Sequence, residues 1–176
     1  MHFIDTITER VLKSSLCIAT CLSLILLASA LAQRPAPTQK EDLVANHATG
    51  SFDVKVTPVE DKSDDPTLGR MMLDKQYHGD LEGVGKGQML TAGTPAKGAG
   101  GYVAIEKVTG TLNGRSGGFV LQHNGIMSNN KPQMTIIIVP ESGTGQLEGI
   151  AGKLTITIAP TGKHSYNLEY TLPNHM

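Results

Sequence analysis

Apolar and polar residues alternate on both sides of an Asn-Gly dipeptide in the middle of the chain. The segment 101–125 reads GYVAIEKVTGTLNGRSGGFVLQHNG. Asn113-Gly114 between two alternating runs is the strongest short-range signal for a hairpin with a two-residue loop. Such a loop sets the register, because side chains along a strand repeat with a period of two. The predicted pairs are Leu112 with Arg115, Val108 with Phe119, Glu106 with Leu121 and Ala104 with His123.

This register sorts the hairpin into two faces, and the more apolar face is expected to point into a core. Two polar side chains, Glu106 and His123, fall on that inward face. They lie diagonally across the hairpin, within reach of each other. The full inward set is Tyr102, Ala104, Glu106, Val108, Leu112, Phe119, Leu121 and His123.

Alternating runs recur along the rest of the chain, separated by short connections rich in Gly, Pro and Asn. We count roughly eight strands, the size of a closed barrel whose interior holds side chains or one small ligand. Gly83, Gly85 and Gly87 alternate in one of them, which is typical of a sharply bent barrel corner. The sequence therefore predicts an all-β fold: a single closed antiparallel barrel over residues 49–174, after a flexible lead-in at residues 33–48.

The C-terminal hairpin can be registered by the same rule. A three-residue loop, Pro160-Thr161-Gly162, keeps one face apolar, whereas a two-residue loop would place apolar residues opposite threonines. The predicted pairs are His164 with Ile158, Tyr166 with Ile156 and Leu168 with Leu154.

The segment QMTIIIV at residues 133–139 breaks the alternation with three consecutive isoleucines. A run of this kind is typical of a strand that is covered on both faces. In a single barrel the outer cover must come from a packed terminus or from another subunit. We therefore expect a homo-oligomer.

The first 32 residues have the pattern of a cleavable signal peptide. Arg10 and Lys13 precede an apolar run at residues 16–31, and Ala30-Leu31-Ala32 is a small-residue cleavage signature. We predict cleavage after Ala32 and export to the periplasm or the extracellular space; an uncleaved N-terminal anchor is the alternative. Both cysteines lie in this leader, so the mature protein has neither a disulfide nor a cysteine metal site.

The formal net charge is −1, and no basic stripe is present. Binding to nucleic acid is driven by neutralisation of phosphates, so we predict no nucleic-acid partner. After cleavage no stable membrane span is expected either. The acidic segment EDKSDDPT at residues 60–67 lacks the spacing and the glycine of a calcium loop, which favours a solvated turn.

Four blocks of the chain contain closely spaced glycines or aromatic residues: GDLEGVG at 79–85, YVAIEKVTGTLNGRSGGFVLQHNG at 102–125, VPESGTGQLEGIAG at 139–152 and YNLEY at 166–170. Together they resemble an uncharacterised bacterial family of "domain of unknown function" proteins, similar in fold to the allene oxide cyclase barrel. The resemblance implies an eight-stranded antiparallel barrel that forms oligomers. Cyclase activity does not follow, because this barrel by itself says little about chemistry.

Glu106 and His123 are the candidate catalytic residues, as a general acid/base pair in a closed cavity. The simpler interpretation is a structural hydrogen bond that satisfies two polar groups in a core. Tyrosines offer an apolar wall and a hydroxyl to orient a ligand, and Arg115 suits an anionic group. The candidate ligand-binding residues are Tyr102, Phe119, Leu121, Tyr166, Tyr170 and Arg115.

Three functions fit these features. The first is binding of a small, mostly apolar molecule in the lumen; the second is a cyclase or isomerase that uses Glu106 and His123; the third is an interaction module with a filled core. His78, His123 and His164 offer imidazole ligands for zinc, but no two of them have short ligand spacing. We therefore predict no metal site and no cofactor.

Overall fold

A computed structural model of the protein describes residues 44–60, 65–94, 97–129 and 131–173. The predicted signal peptide, residues 33–43 of the predicted lead-in, and Asp61 and Asp64 of the acidic segment lie outside the described residues. The strands are β1 Val44–Val59, β2 Leu68–Gly79, β3 Leu81–Thr94, β4 Ala99–Leu112, β5 Arg115–Ser128, β6 Lys131–Ile138, β7 Thr144–Gly145, β8 Ala151–Ile158 and β9 His164–Leu172.

Eight of these strands close into an antiparallel ring. The order around the ring is β1, β2, β3, β4, β5, β6, β8 and β9, and β9 pairs back to β1. The two-residue strand β7 attaches to β5 beside this ring. The predicted fold class, a closed all-β antiparallel barrel of eight strands, is confirmed. Within the described part of the chain, no helix is long and apolar enough to span a membrane.

Both predicted hairpins form in the predicted register. In the central hairpin Leu112 pairs with Arg115 and Glu106 with Leu121, and Asn113 and Gly114 adopt positive φ angles of 47° and 80°, as a type I′ turn requires. In the C-terminal hairpin all three predicted pairs occur. There Gly162, with φ of 84°, occupies the left-handed position of the three-residue loop.

Strand β1 begins at Val44, within the predicted lead-in, because its first residues pair with β9, starting with Val44 opposite Leu172. The isoleucine run is covered on its inner face, and its predicted outer cover by a terminus or another subunit stays a prediction. Ile136 and Ile138 are buried, whereas Ile137 on the outer face is 40% exposed.

The two ends of the barrel are packed differently. The end formed by the β2–β3 and β4–β5 turns, here called the base, contains fully buried apolar side chains such as Leu81, Leu112 and Leu168. At the opposite end, here called the mouth, residues that continue the inward-facing order become exposed: Val56 is 46% exposed and Ile158 60%. Inward-facing side chains are therefore buried at the base and partly exposed at the mouth.

The wall of the barrel is weakest between β6 and β8. Among the described residues their register consists of one pair, Ile137 with Lys153. Toward the mouth the two strands no longer pair, and Met134 on the inward side of β6 is 39% exposed. A second gap lies beyond Phe52, where β1 pairs with β2 alone; a cleft of about 250 Å³ opens there beside His164.

Candidate functional site

Glu106 points into the barrel and is fully buried. Its carboxylate accepts a hydrogen bond from Lys75 Nζ to Oε2 at 2.7 Å and one from the Tyr77 hydroxyl to Oε1 at 2.8 Å. His123 Nε2 lies 3.0 Å from Oε2. We call Lys75, Tyr77, Glu106 and His123 the ionic cluster. The predicted proximity of Glu106 and His123 is confirmed, and two further polar side chains join them.

The register of the sheet explains how Lys75 on β2 reaches Glu106 on β4 across the intervening strand β3. Lys75 pairs with Gly85, and Glu106 pairs with Gly87. A Cβ atom built on Gly85 would overlap Oε1 of Glu106 and would lie 3.1 Å from the Tyr77 ring. The missing side chain at Gly85 is therefore the space in which the carboxylate meets Lys75 and Tyr77.

The cluster holds Glu106 in its charged form. Burial raises the pKa of this carboxyl, but the contact with His123 and the positive charge of Lys75 outweigh burial, and the net pKa is lowered. Burial and the neighbouring carboxylate together raise the pKa of Tyr77 well above its ordinary value. Glu106 is therefore ionised at neutral pH, and Tyr77 keeps the proton that it donates to it.

His123 is the least satisfied member of the cluster. Its Nε2 atom is buried and makes no well-aligned hydrogen bond with any described residue, although Glu106 Oε2 is 3.0 Å away. His123 Nε2 and Glu106 Oε2 are therefore close together but are not aligned for a hydrogen bond. A buried polar atom without an aligned partner is uncommon in folded proteins.

Aromatic rings separate the cluster from the mouth on the β1 side. Lys75 Nζ lies 4.7 Å from the centroid of the Phe52 ring, a cation–π distance. Phe52 in turn packs against Tyr77 at 5.4 Å and against His164 at 5.0 Å between ring centroids. His164, at the edge of the mouth, is only partly buried.

Above the cluster, the inward-facing side chains at the mouth form what we call the cup. Its members are apolar apart from Tyr102 and His164, and they are partly buried or exposed. They are Val54, Val56, Met71, Met89, Tyr102, Met134, Ile156, Ile158 and His164. Tyr102 lies across Gly125, where a Cβ atom would overlap its ring, and its hydroxyl is 2.9 Å from the sulfur of Met134.

The other predicted ligand-binding residues are dispersed. Phe119 and Leu121 are fully buried in the core. The Tyr166 hydroxyl accepts a hydrogen bond from the backbone of Leu81, and the Tyr170 hydroxyl accepts one from Asn113. Both tyrosines therefore connect strands to turns at the base. Only Tyr102, of the three predicted tyrosines, is part of the cup.

Arg115 is exposed beside the β4–β5 turn at the base. It is six residues along β5 from Leu121, the partner of Glu106, which is about 20 Å at the rise of a strand. The structure therefore does not bring Arg115 to the ionic cluster or to the cup.

The three histidines considered for zinc lie apart in the barrel. His78 is 47% exposed on the outer face, with Nδ1 3.6 Å from Glu82 and Nε2 3.8 Å from Asp53. His123 lies in the ionic cluster and His164 at the mouth. Within the described ranges, no group of three or more His, Cys, Asp or Glu side chains is arranged to hold a metal ion.

Lys75 and Tyr77 were not predicted from the sequence. A signal was present, since Leu73, Lys75 and Tyr77 share the parity of the inward face of β2 while Asp74 and Gln76 are exposed. Lysine is almost never fully buried unless it is paired, and the pairing with Glu106 becomes visible only once β2 and β4 flank β3.

The fold and the cluster together define a small closed antiparallel barrel with a buried lysine–glutamate pair in its lumen. The sequence profile of the family described as "Protein of unknown function (DUF3224)" matches residues 48–170. The chain belongs to this family, and the predicted relation to an uncharacterised family is confirmed.

A solved structure from Shewanella oneidensis MR-1, described as a protein with unknown function from the DUF3224 family, is similar to this chain. The two share 43% sequence identity with a TM-score of 0.69, over 76% of this chain and 100% of the other. No functionally curated protein matches the sequence.

Proposed function

We propose that the protein binds a small, mostly apolar molecule in the cup. The observation that supports this proposal is the change in exposure along the lumen. Leu112 and Leu168 at the base are fully buried, whereas Val56 and Ile158 at the mouth are 46% and 60% exposed. A concave apolar surface with a few polar groups at its floor is the usual form of a small-molecule site.

The lining of the cup suits a ligand of variable shape. Three methionines, Met71, Met89 and Met134, face it, and methionine adapts its conformation to fill irregular spaces. The unpaired stretch between β6 and β8 adds a lateral opening next to Met134. A ligand of moderate size enters there without breaking an established strand pair.

Two neighbouring methionines provide a matched test. Met71 faces the cup, and Met72 faces outward with 42% exposure. We expect the neutral fluorescent probe N-phenylnaphthylamine to bind the wild-type protein saturably. Met71→Trp should lower the affinity at least tenfold by filling the cup, and Met72→Trp should leave it within about twofold. Absence of saturable binding to the wild type would favour the filled-core alternative.

An acid/base enzyme remains the second candidate, because Nε2 of His123 and Oε2 of Glu106 are 3.0 Å apart in a buried site. The lowered pKa of Glu106 weighs against an acid/base enzyme, since an ionised carboxylate that already accepts two hydrogen bonds is a weak base. Any molecule recovered with the protein would decide between the two. A binding protein leaves the molecule unchanged, and its Glu106→Gln variant still binds it. An enzyme converts the molecule, and its Glu106→Gln variant binds it with turnover lowered by orders of magnitude.

We further propose that the mature protein is exported after cleavage behind Ala32. The support is the charged, apolar and small-residue pattern of residues 1–32. N-terminal sequencing of the protein from its native source should begin at Gln33. Retention of Met1 would contradict export by this route.

We also propose that the outer face of β3 to β6 packs against a second copy of the chain. Gln122 pairs with Ile105 on one side and with Ile137 on the other, so the two isoleucines lie in one outward row. Exposed apolar side chains lie near this row on β3, β4 and β5 and on the adjoining end of β2: Leu90, Val103, Ile126 and Leu68. Exposed apolar side chains gathered on one face are typical of a protein–protein interface.

A further inference from the structure

The ionic cluster contains a hydrogen-bond donor that the described residues do not use. Each carboxylate oxygen of Glu106 accepts one hydrogen bond, from Lys75 or from Tyr77. The Lys75 ammonium has three protons. One goes to Glu106, a second is directed at the Tyr77 hydroxyl over 3.4 Å, and no described residue accepts the third.

Lys75 and His123 are the members of the cluster that keep some accessible surface. The side chains of Lys75 and His123 keep 5% and 4% of their surface accessible, whereas that of Glu106 keeps 0%. The carboxylate is therefore closed off from solvent, and the side chains of Lys75 and His123 are the parts of the cluster that a molecule in the cup can reach.

The charge of the cluster is already balanced. The ammonium of Lys75 and the carboxylate of Glu106 form an ion pair at 2.7 Å. An additional buried anion would have to be desolvated without a counter-charge of its own, which is costly. A neutral acceptor, such as a carbonyl oxygen, uses the spare donor without adding charge.

We propose that the ligand of the cup carries a neutral hydrogen-bond acceptor, such as a ketone, ester or amide carbonyl, which Lys75 binds with His123 beside it. This inference rests on the proposed function, since it names the polar end of the molecule whose apolar part occupies the cup. The carbonyl end points toward the base of the barrel and the hydrocarbon part toward the mouth.

Displacement of N-phenylnaphthylamine by three ligands of equal chain length tests the proposal: nonane, methyl heptyl ketone and nonanoate. We expect the ketone to bind wild-type protein about tenfold more tightly than nonane, because a hydrogen bond to a charged donor outweighs the desolvation of the carbonyl. In the double variant Lys75→Met/Glu106→Gln this preference should disappear or reverse. The double variant leaves no unpaired charge in the core, which favours its folding.

A second measurement needs no variant. The infrared carbonyl stretch of the ketone bound to wild-type protein should lie at lower wavenumber than that of the ketone in an alkane solvent, as a hydrogen-bonded carbonyl does. An unshifted stretch, tighter binding of nonanoate than of the ketone, or an unchanged preference in the double variant would each overturn the proposal. If nonane binds and the ketone has no advantage, the neutral-acceptor inference fails while the cup remains a binding site. If neither the probe nor any of the three ligands binds, the proposed function itself fails.

Discussion

Gly85 on β3 leaves the space that the carboxylate of Glu106 on β4 occupies. A Cβ atom built at position 85 would overlap Oε1 of Glu106. Because that oxygen also accepts the Tyr77 hydrogen bond, a side chain at position 85 would disturb the buried ion pair and a ring contact at once. One glycine in the middle of a strand is thus a condition for the ionic cluster.

Gly85→Ala should therefore destabilise the protein by about 2 to 4 kcal/mol, because it combines overpacking with displacement of a buried charge. Urea unfolding followed by circular dichroism measures this loss. Gly101→Ala on β4 is the control: the nearest atom to its Cβ is a carbonyl oxygen at 3.5 Å, an ordinary contact. That control should change the free energy of unfolding by less than about 1 kcal/mol. Equal effects of the two variants would show that the space at Gly85 has no special role.

The pair Lys75–Glu106 should behave as one unit in a double-mutant cycle. Lys75→Met and Glu106→Gln each leave an unpaired buried group, and each should cost about 3 to 5 kcal/mol. The double variant should be destabilised by clearly less than the sum, with a coupling energy of about 1 to 3 kcal/mol. Additive losses in denaturant unfolding would show that the two side chains do not depend on each other.

The stability contributed by Glu106 should depend on pH. Its pKa is lowered in the folded protein from the ordinary 4.5, so the unfolded chain takes up a proton at higher pH than the folded protein does. The contribution is therefore present in full above the unfolded pKa and is lost as the pH falls through the folded pKa. The difference in unfolding free energy between the wild type and Glu106→Gln should shrink in acid.

The control for this pH effect is Glu169→Gln. Glu169 also has a lowered pKa, from its hydrogen bond with Lys153, but the pair is exposed to solvent. Exposed pairs contribute little to stability, so the corresponding difference should be small at every pH. A Glu106 contribution that grew on acidification would mean that its pKa is raised rather than lowered by folding.

Association through the outer face can be tested with Ile105→Glu. This substitution places a charge in the outward row that Ile105 shares with Gln122 and Ile137, where an interface would have to desolvate it. Size-exclusion chromatography with light scattering should give an oligomer for the wild type and a monomer for the variant. Thr155→Glu, at an exposed position on β8, should leave the oligomer intact. A wild-type protein that is monomeric at micromolar concentration would contradict the proposal.

Local patterns were sufficient for the barrel and its two informative hairpins. The Asn113-Gly114 turn admits one register, and Gly162 selects the loop of the last hairpin, so the inward positions of Glu106, His123 and Tyr166 follow by parity. The same parity did not show where the barrel is open. Exposure at Val56 and Ile158 depends on where the neighbouring strands stop pairing, and the residue pattern of one strand does not show where its neighbours end.

The sequence by itself determined which side chains face the lumen, because a tight turn and a period of two leave no other arrangement. Only the tertiary structure decided which of them meet. Lys75 and Glu106 are 31 positions apart and belong to strands that are not adjacent. They come into contact because β3 lies between those strands and has no side chain at Gly85.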